Sequence, residues 1–368
     1  MMRDVIVEGL WTIATIISIS INFHLLGIVL ERPENPREST APLSRFPVPA
    51  VPAKQARDNT TDALVSASSL AFSPKDLEGL PKFTGMLSHV VLEVGEGKDE
   101  EEKIKRLFEY WSKFPPCLLA SNPTNWSQSE ITFSMLLRGT REAKKVEQLK
   151  QLFNTLPKTV RACFKTFEIL QAGLPDLKNN RLETLRDDSR KLFSAIMLNS
   201  IKLEKPNHAL YISADCVPIQ PNWLNLVDYR TRPPNEPFWM QGSVFRGQRS
   251  EWTRNMASFL HLSRYSIYNL DDAAFRTWYL HSVVPYTREV PIPLYDFGRW
   301  DMDLAHYLAD VGRSVDYQMA ASKFRLTNTI LNQWNVTINI PEIISREPDV
   351  AIACGIVPEL IKQVLETQ

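Results

Sequence analysis

The stretch richest in chemistry-bearing residues runs Leu210-Tyr-Ile-Ser-Ala-Asp-Cys-Val-Pro-Ile-Gln-Pro-Asn-Trp-Leu224. An apolar run ends in a carboxylate, Asp215, and a proline-broken turn follows. A carboxylate at the end of a buried strand can hold a divalent cation, and such a cation can bridge a diphosphate. On spacing alone an aspartate in that position serves equally as a helix cap or a turn residue. A second acidic pair, Asp301 and Asp303, sits in a segment with helical periodicity. Two carboxylates could serve a hydrolase. Glycosidase pairs, however, flank the scissile bond at about 5–9.5 Å, and one short helix rarely arranges that. No G-x-S-x-G, H-E-x-x-H or phosphate-loop motif is present. His89, His208 and His281 read as ordinary core or surface residues, and Arg186-Asp-Asp188 as part of a charged, loop-like stretch.

The elements that must position these residues alternate. His89–Val94 is a β-branched run and reads as a first strand. Asp99–Trp111 carries Ile104, Leu107, Phe108 and Trp111 at helical spacing, and Pro115-Pro116 stops it. Arg141–Asn154 reads as an amphipathic helix, Phe164–Leu170 as a strand, Ser189–Ile201 as a helix and Ala209–Ile212 as a buried strand. Strands alternating with helices predict an α/β sheet with crossover connections. Beyond Asp215 a strand-rich region covers Phe238–Phe245, and Asp301–Val311 is helical. Asp349–Thr367 is expected to form one or two short helices.

The 210–224 segment resembles the E-P-D-C-V-P-I-R-x-x-W-L signature of a family of nucleotide-sugar-dependent GT-A glycosyltransferases. Asp215, Cys216, Val217, Pro218, Ile219, Trp223 and Leu224 match it. Further elements follow in the family's order. Trp111-Ser-Lys-Phe-Pro-Pro-Cys117 resembles W-x-x-x-P-P-C, and Arg161-Ala-Cys-Phe164 resembles x-x-C-F. Pro237–Arg246 is similar to F-W-M-K-G-S-x-x-R, and His261–Leu270 to H-I-N-G-N-A-x-Y-x-L. Trp300–Leu304 is similar to Y-D-x-x-L, and Lys323–Asn332 to K-F-R-Y-T-x-x-I-Q-N. The resemblance spans about residues 88–335. It implies a GT-A fold, meaning a Rossmann-like mixed sheet flanked by helices. It also implies a nucleotide-sugar donor and a glycan or glycoconjugate acceptor. By carry-over Asp215 and His261 are expected to hold a divalent metal, manganese or magnesium. Ser213, Trp239, Gly242, Ser243 and Arg264 are expected to bind substrate. Asp301, with Asp303 as its competitor, is expected to take the acceptor's proton.

Two departures stand out. Ser213 and Ala214 replace the Glu and Pro of the signature, and Ser263-Arg-Tyr-Ser266 replaces N-G-N-A. Arg264 could pair with a diphosphate in place of a metal or fill the pocket, so a catalytically impaired, sugar-binding or scaffold relative is the alternative.

The remaining sequence places the chain. Residues 9–30 contain no Asp, Glu, Lys or Arg and are long enough to cross a hydrocarbon core of about 30 Å. They read as a retained anchor behind a short tail, 1–8, with a cleaved signal or a buried helix as alternatives. Residues 31–73 are proline-rich and poor in aromatics, as in an extended stalk, and 74–368 form the catalytic domain. Sequons at Asn59, Asn125 and Asn335 favour a lumenal, Golgi-type setting with single-pass type II topology. Lys plus Arg equals Asp plus Glu at 42 each, so a nucleic-acid partner is not expected. Four cysteines without C-x-x-C spacing argue against structural zinc and leave room for one or two disulfides.

Overall fold

The computed structural model describes residues 85–95, 97, 99–117, 130–139, 143–174, 190–232, 237–247, 261–289, 300–334 and 340–355. All of them lie in one compact unit, Leu64–Gln368. The expected span 9–30, the stalk 31–73, the three sequons and the Arg186–Asp188 stretch fall outside the described residues. Among the described residues no helix is long and apolar enough to cross a membrane.

Strand β1 (Leu87–Val94) is buried on both faces, as are β2 (Thr132–Leu137) and β4 (His208–Ser213). Strands covered on both sides read as near-continuous apolar runs and favour parallel pairing under helices. β1 pairs in parallel with β2 on one side and with β4 on the other, and β2 pairs in parallel with β3 (Thr166–Gln171). Parallel neighbours need crossover connections. Helix α1 (Glu100–Lys113) supplies the first and α2 (Ala143–Thr155) the second, and a helical segment at 190–197 precedes β4. α1 forms where the spacing predicts it. Ile104, Leu107, Phe108 and Trp111 are buried, and Glu100, Glu101 and Glu102 in its first turn suit the positive end of the helix dipole. Its Trp111 lies 5.0 Å from Phe133 of β2 and 5.3 Å from Trp223, ring centre to ring centre.

Beyond β4 the sheet turns mixed. β8 (Ile267–Asn269) runs antiparallel to both β4 and β6 (Met240–Gly242), and β6 pairs in parallel with β9 (Phe324–Leu326). The sheet therefore has seven strands in the order β3-β2-β1-β4-β8-β6-β9. A smaller four-stranded sheet has the order β5 (Cys216–Pro218), β11 (Ile352–Cys354), β10 (Ile330–Trp334), β7 (Arg246–Gly247). The α/β expectation holds in this mixed sheet, and the expected central strands and helices fall within a few residues of their places.

The C-terminal expectation needs correction. Within the region read as helical, Ile352–Cys354 is a strand, antiparallel to β5 and parallel to β10. A short apolar run such as Ala351-Ile-Ala-Cys354 suits a buried helix or a buried strand equally, and here two waiting strand edges decide. Cys354 faces Cys216 in that register and the two are bonded; Cys117 and Cys163 form a second disulfide.

His89 lies near the start of β1 and His208 opens β4, and burial lowers both pKa values to about 4. A folded pKa below the ordinary 6.5 means that the unfolded chain takes up protons first as pH falls. Stability contributed by these two neutral rings is therefore fully present above about pH 6.5 and lost on the way down to about pH 4. Urea unfolding at stepped pH should show this slope, and His89→Asn with His208→Asn should flatten it. Replacing Cys216 and Cys354 by Ser should cost about 2–4 kcal/mol in the same measurement.

Candidate functional site

The chain builds strands outward in one direction from β1 through β2 to β3, then returns to the other side of β1 with β4. The order reverses between β1 and β4, and in open α/β sheets ligands bind outside the carboxyl ends of the strands at such a point. Glu93 and Ser213 face each other there in register. Asp215 follows two residues later, in the turn between β4 and β5.

Asp215 is the accessible carboxylate of the motif, with 41% of its side chain exposed, and it lies 3.7 Å from the ammonium of Lys103 on α1. Its amide donates to Ser213 Oγ at 3.3 Å, and its carbonyl accepts from Gly355 N–H at 3.0 Å. The second bond ties the turn to β11, beside the Cys216–Cys354 bridge. Lys103 also reaches Asp99 at 3.6 Å. Desolvation opposes its charge, but Asp215, Asp99 and Glu100 outweigh that and raise its pKa. Glu100 shifts upward because it is partly buried, although Gly95 N–H donates to it at 3.0 Å. Sequence reasoning missed Lys103; its only signal was a lysine one helical turn beyond Asp99.

Arg264 reaches the same end of the sheet from the other side. Its Nη1 lies 3.4 Å from Glu93 Oε2, and its Nη2 donates to Tyr265 Oη at 2.7 Å. The guanidinium carbon stands 4.8 Å above the Tyr265 ring. Burial works against its charge, but Glu93, Tyr265 and Asp301 more than compensate and hold its pKa well above the ordinary arginine range. The backbone that carries Arg264 is fixed by its neighbours. Tyr268 Oη donates to Arg264 O at 2.7 Å, Ser266 Oγ donates to Ser263 O at 2.6 Å, and Ser263 N–H donates to Ser243 O at 3.1 Å.

The two helix carboxylates diverge, as neighbours two residues apart on a helix must. On α3 (Trp300–Ala309) Asp301 points into the protein, where its Oδ2 accepts Arg264 N–H at 3.0 Å and lies 3.3 Å from His261 Nε2. No part of the Asp301 side chain is exposed. Asp303 turns to Arg190, which grips it with two N–H groups; Nη2 donates to Oδ1 at 2.6 Å. Burial pushes the Asp303 pKa upward while Arg190 pulls it back.

The structure thus brings Ser213, Asp215 and Arg264 to the strand ends and pairs His261 with Asp301. The other residues expected to touch substrate make these contacts within the protein. Trp239 is core: its Nε1 donates to Asp272 Oδ2 at 3.0 Å, and its ring stacks on Phe275 at 5.4 Å. A Cβ on Gly242 would fall 1.9 Å from Ser266 Oγ, so a glycine is what lets β6 approach the Arg264 turn. Ser243 accepts from Asn332 Nδ2 at 2.9 Å. Gly242 and Ser243 are therefore buttresses of the Arg264 turn.

Among the described residues no group of three or more His, Cys, Asp and Glu side chains is arranged to hold a metal ion. Asp215 turns to Lys103 and His261 to Asp301, so the expected Asp215–His261 metal pair is not what these side chains form. Beside Asp215, the ammonium of Lys103 and a serine, Ser213, in place of the signature's glutamate make a poor seat for a divalent cation.

A pocket of about 560 Å³ opens beside the first site, at the carboxyl ends of β1 and α1's first turn, lined by Val94, Gly97, Glu100, Lys144 and Lys145 among others.

No protein-family model matches the chain, and no curated protein does. Among solved structures it is similar to the galactosyltransferase LgtC in complex with donor and acceptor sugar analogues, at 15% identity. That overlap covers 73% of this chain and 87% of the other, with a TM-score of 0.40. It is also similar to mouse xyloside xylosyltransferase 1 in its apo form, at 12% identity over 73% of this chain and 97% of the other, with a TM-score of 0.41. At this level of overlap neither likeness speaks to donor, acceptor or chemistry.

Asp303→Asn should destabilise the protein by about 3–5 kcal/mol, because it removes the buried carboxylate of the Arg190–Asp303 ion pair. Asp215→Asn, which breaks an exposed pair, should cost at most about 1 kcal/mol. Denaturant unfolding of the two variants checks the contrast.

Proposed function

We propose that this chain is a glycosyltransferase that moves a sugar from a nucleotide-sugar donor to a glycan or glycoconjugate acceptor. The observation that carries the reading is the convergence of Glu93, Ser213, Asp215, Lys103 and Arg264 on the switch point between β1 and β4. A diphosphate placed there meets two cations, and the adjoining pocket offers room for the nucleoside beside Val94 and Gly97. The ordered motifs around Asp215 and Arg264 name the chemistry that this placement serves.

In this reading Asp215 is the carboxylate that meets the donor, since it alone of Asp215, Asp301 and Asp303 has substantial exposure. Asp301 is enclosed, and its part is to hold His261 and the Arg264 turn. The enclosure of Asp301 also favours a second reading, a catalytically impaired relative that binds nucleotide sugars without turning them over. We place the chain in a Golgi or other secretory membrane as a single-pass type II protein, anchored by residues 9–30 with the 74–368 domain lumenal.

The test is nucleotide release from UDP- and GDP-sugars presented with a glycan acceptor panel. Transfer should occur, and Asp215→Asn should lower kcat/KM about 100-fold or more with little change in stability. Binding without release would establish the second reading, and neither binding nor release would defeat both. Expressed in secretory cells, the chain should lose mass on removal of N-glycans, and Gln at Asn59, Asn125 and Asn335 should abolish that shift.

A further inference from the structure

An ammonium already stands beside Asp215. Lys103 Nζ lies 3.7 Å from Asp215 and 3.6 Å from Asp99, and Glu100 stands in the same helical turn. A divalent ion seated on Asp215 would meet that ammonium at close range, and like charges repel. Nor is a second motif carboxylate available to compensate, because Ser213 stands where the signature has glutamate. Magnesium and manganese sites draw on carboxylate oxygens together with phosphates. On the other side of the strand ends, Arg264 is fixed by Glu93 at 3.4 Å and by Tyr265 at 2.7 Å.

We propose that the donor diphosphate is held without a divalent metal, by the ammonium of Lys103 and the guanidinium of Arg264. Asp215 and Glu93 pin these two cations at the carboxyl ends of β4 and β1. An ammonium has three N–H donors and a guanidinium five, so each can keep its carboxylate and take a phosphate oxygen as well. Both are fixed before the ligand arrives, which spares the ordering cost that a mobile side chain would bring. This inference rests on the nucleotide-sugar reading above.

Calorimetric titration of the full chain with UDP and with GDP, each in EDTA and in manganese chloride, tests it. One nucleotide should bind in EDTA, with a Kd within about threefold of its value in manganese. Lys103→Met should weaken that binding at least about tenfold in EDTA. The lysine side chain is 31% exposed on a helix surface, so the substitution leaves the core intact, and an unchanged melting temperature would verify this. Arg264→Lys, which keeps the charge but loses the planar fork, should weaken binding in the same conditions. Binding that requires manganese and disappears in EDTA would overturn the metal-free assignment while leaving the transferase reading in place. Metal-independent binding that Lys103→Met leaves untouched would overturn the role of Lys103. No binding of either nucleotide in either solution would remove the transferase reading and this inference together.

Discussion

The parallel pairing of β1 with β2 on one edge and β4 on the other is the constraint on which the rest depends. Each of these strands is apolar on both faces, so neither face can be left to water, and helices must cover both. Once that pairing is fixed, the order of the chain reverses beside β1. Glu93 and Ser213 then lie side by side at the strand ends, although they are far apart in sequence. Everything polar in the candidate site is arranged around that pair of backbone positions.

Two kinds of charge surround it. The buried ones are spent on structure: Asp303 is gripped by Arg190, and Asp301 holds the Arg264 amide and faces His261. Charges enclosed to this degree persist only when paired and hydrogen-bonded. The half-exposed ones, Asp215 and Lys103, sit where a ligand can reach them at little structural cost. Between the two groups lies Arg264, largely enclosed, permanently charged and carried on a turn that Gly242, Ser243 and Tyr268 hold in place. Of the motif resemblance beyond Asp215, Gly242, Ser243 and Asp301 all fall against this turn.

The second sheet locks the motif from behind. β11 pairs with β5, the Cys216–Cys354 bridge joins them, and the Gly355 amide bonds the Asp215 carbonyl. Asp215 is thus held by a strand from the far end of the described chain.

The sequence by itself determined the alternation of strands and helices, because apolar periodicity and proline stops are local properties of the chain. It also singled out the 210–224 segment and Arg264, because both stand out in ordered motifs. Tertiary structure alone decided which side chains meet. Lys103 lies more than a hundred positions before Asp215 and shares no motif with it, so only the packing of α1 against β5, just beyond Asp215, brings them together. The fates of Asp301 and Asp303 were equally out of reach, since helical geometry says that they diverge but not which partner waits on each side. The strand at 352–354 was hidden for the same reason: a short apolar run takes the form its neighbours offer, and its neighbours are β5 and β10.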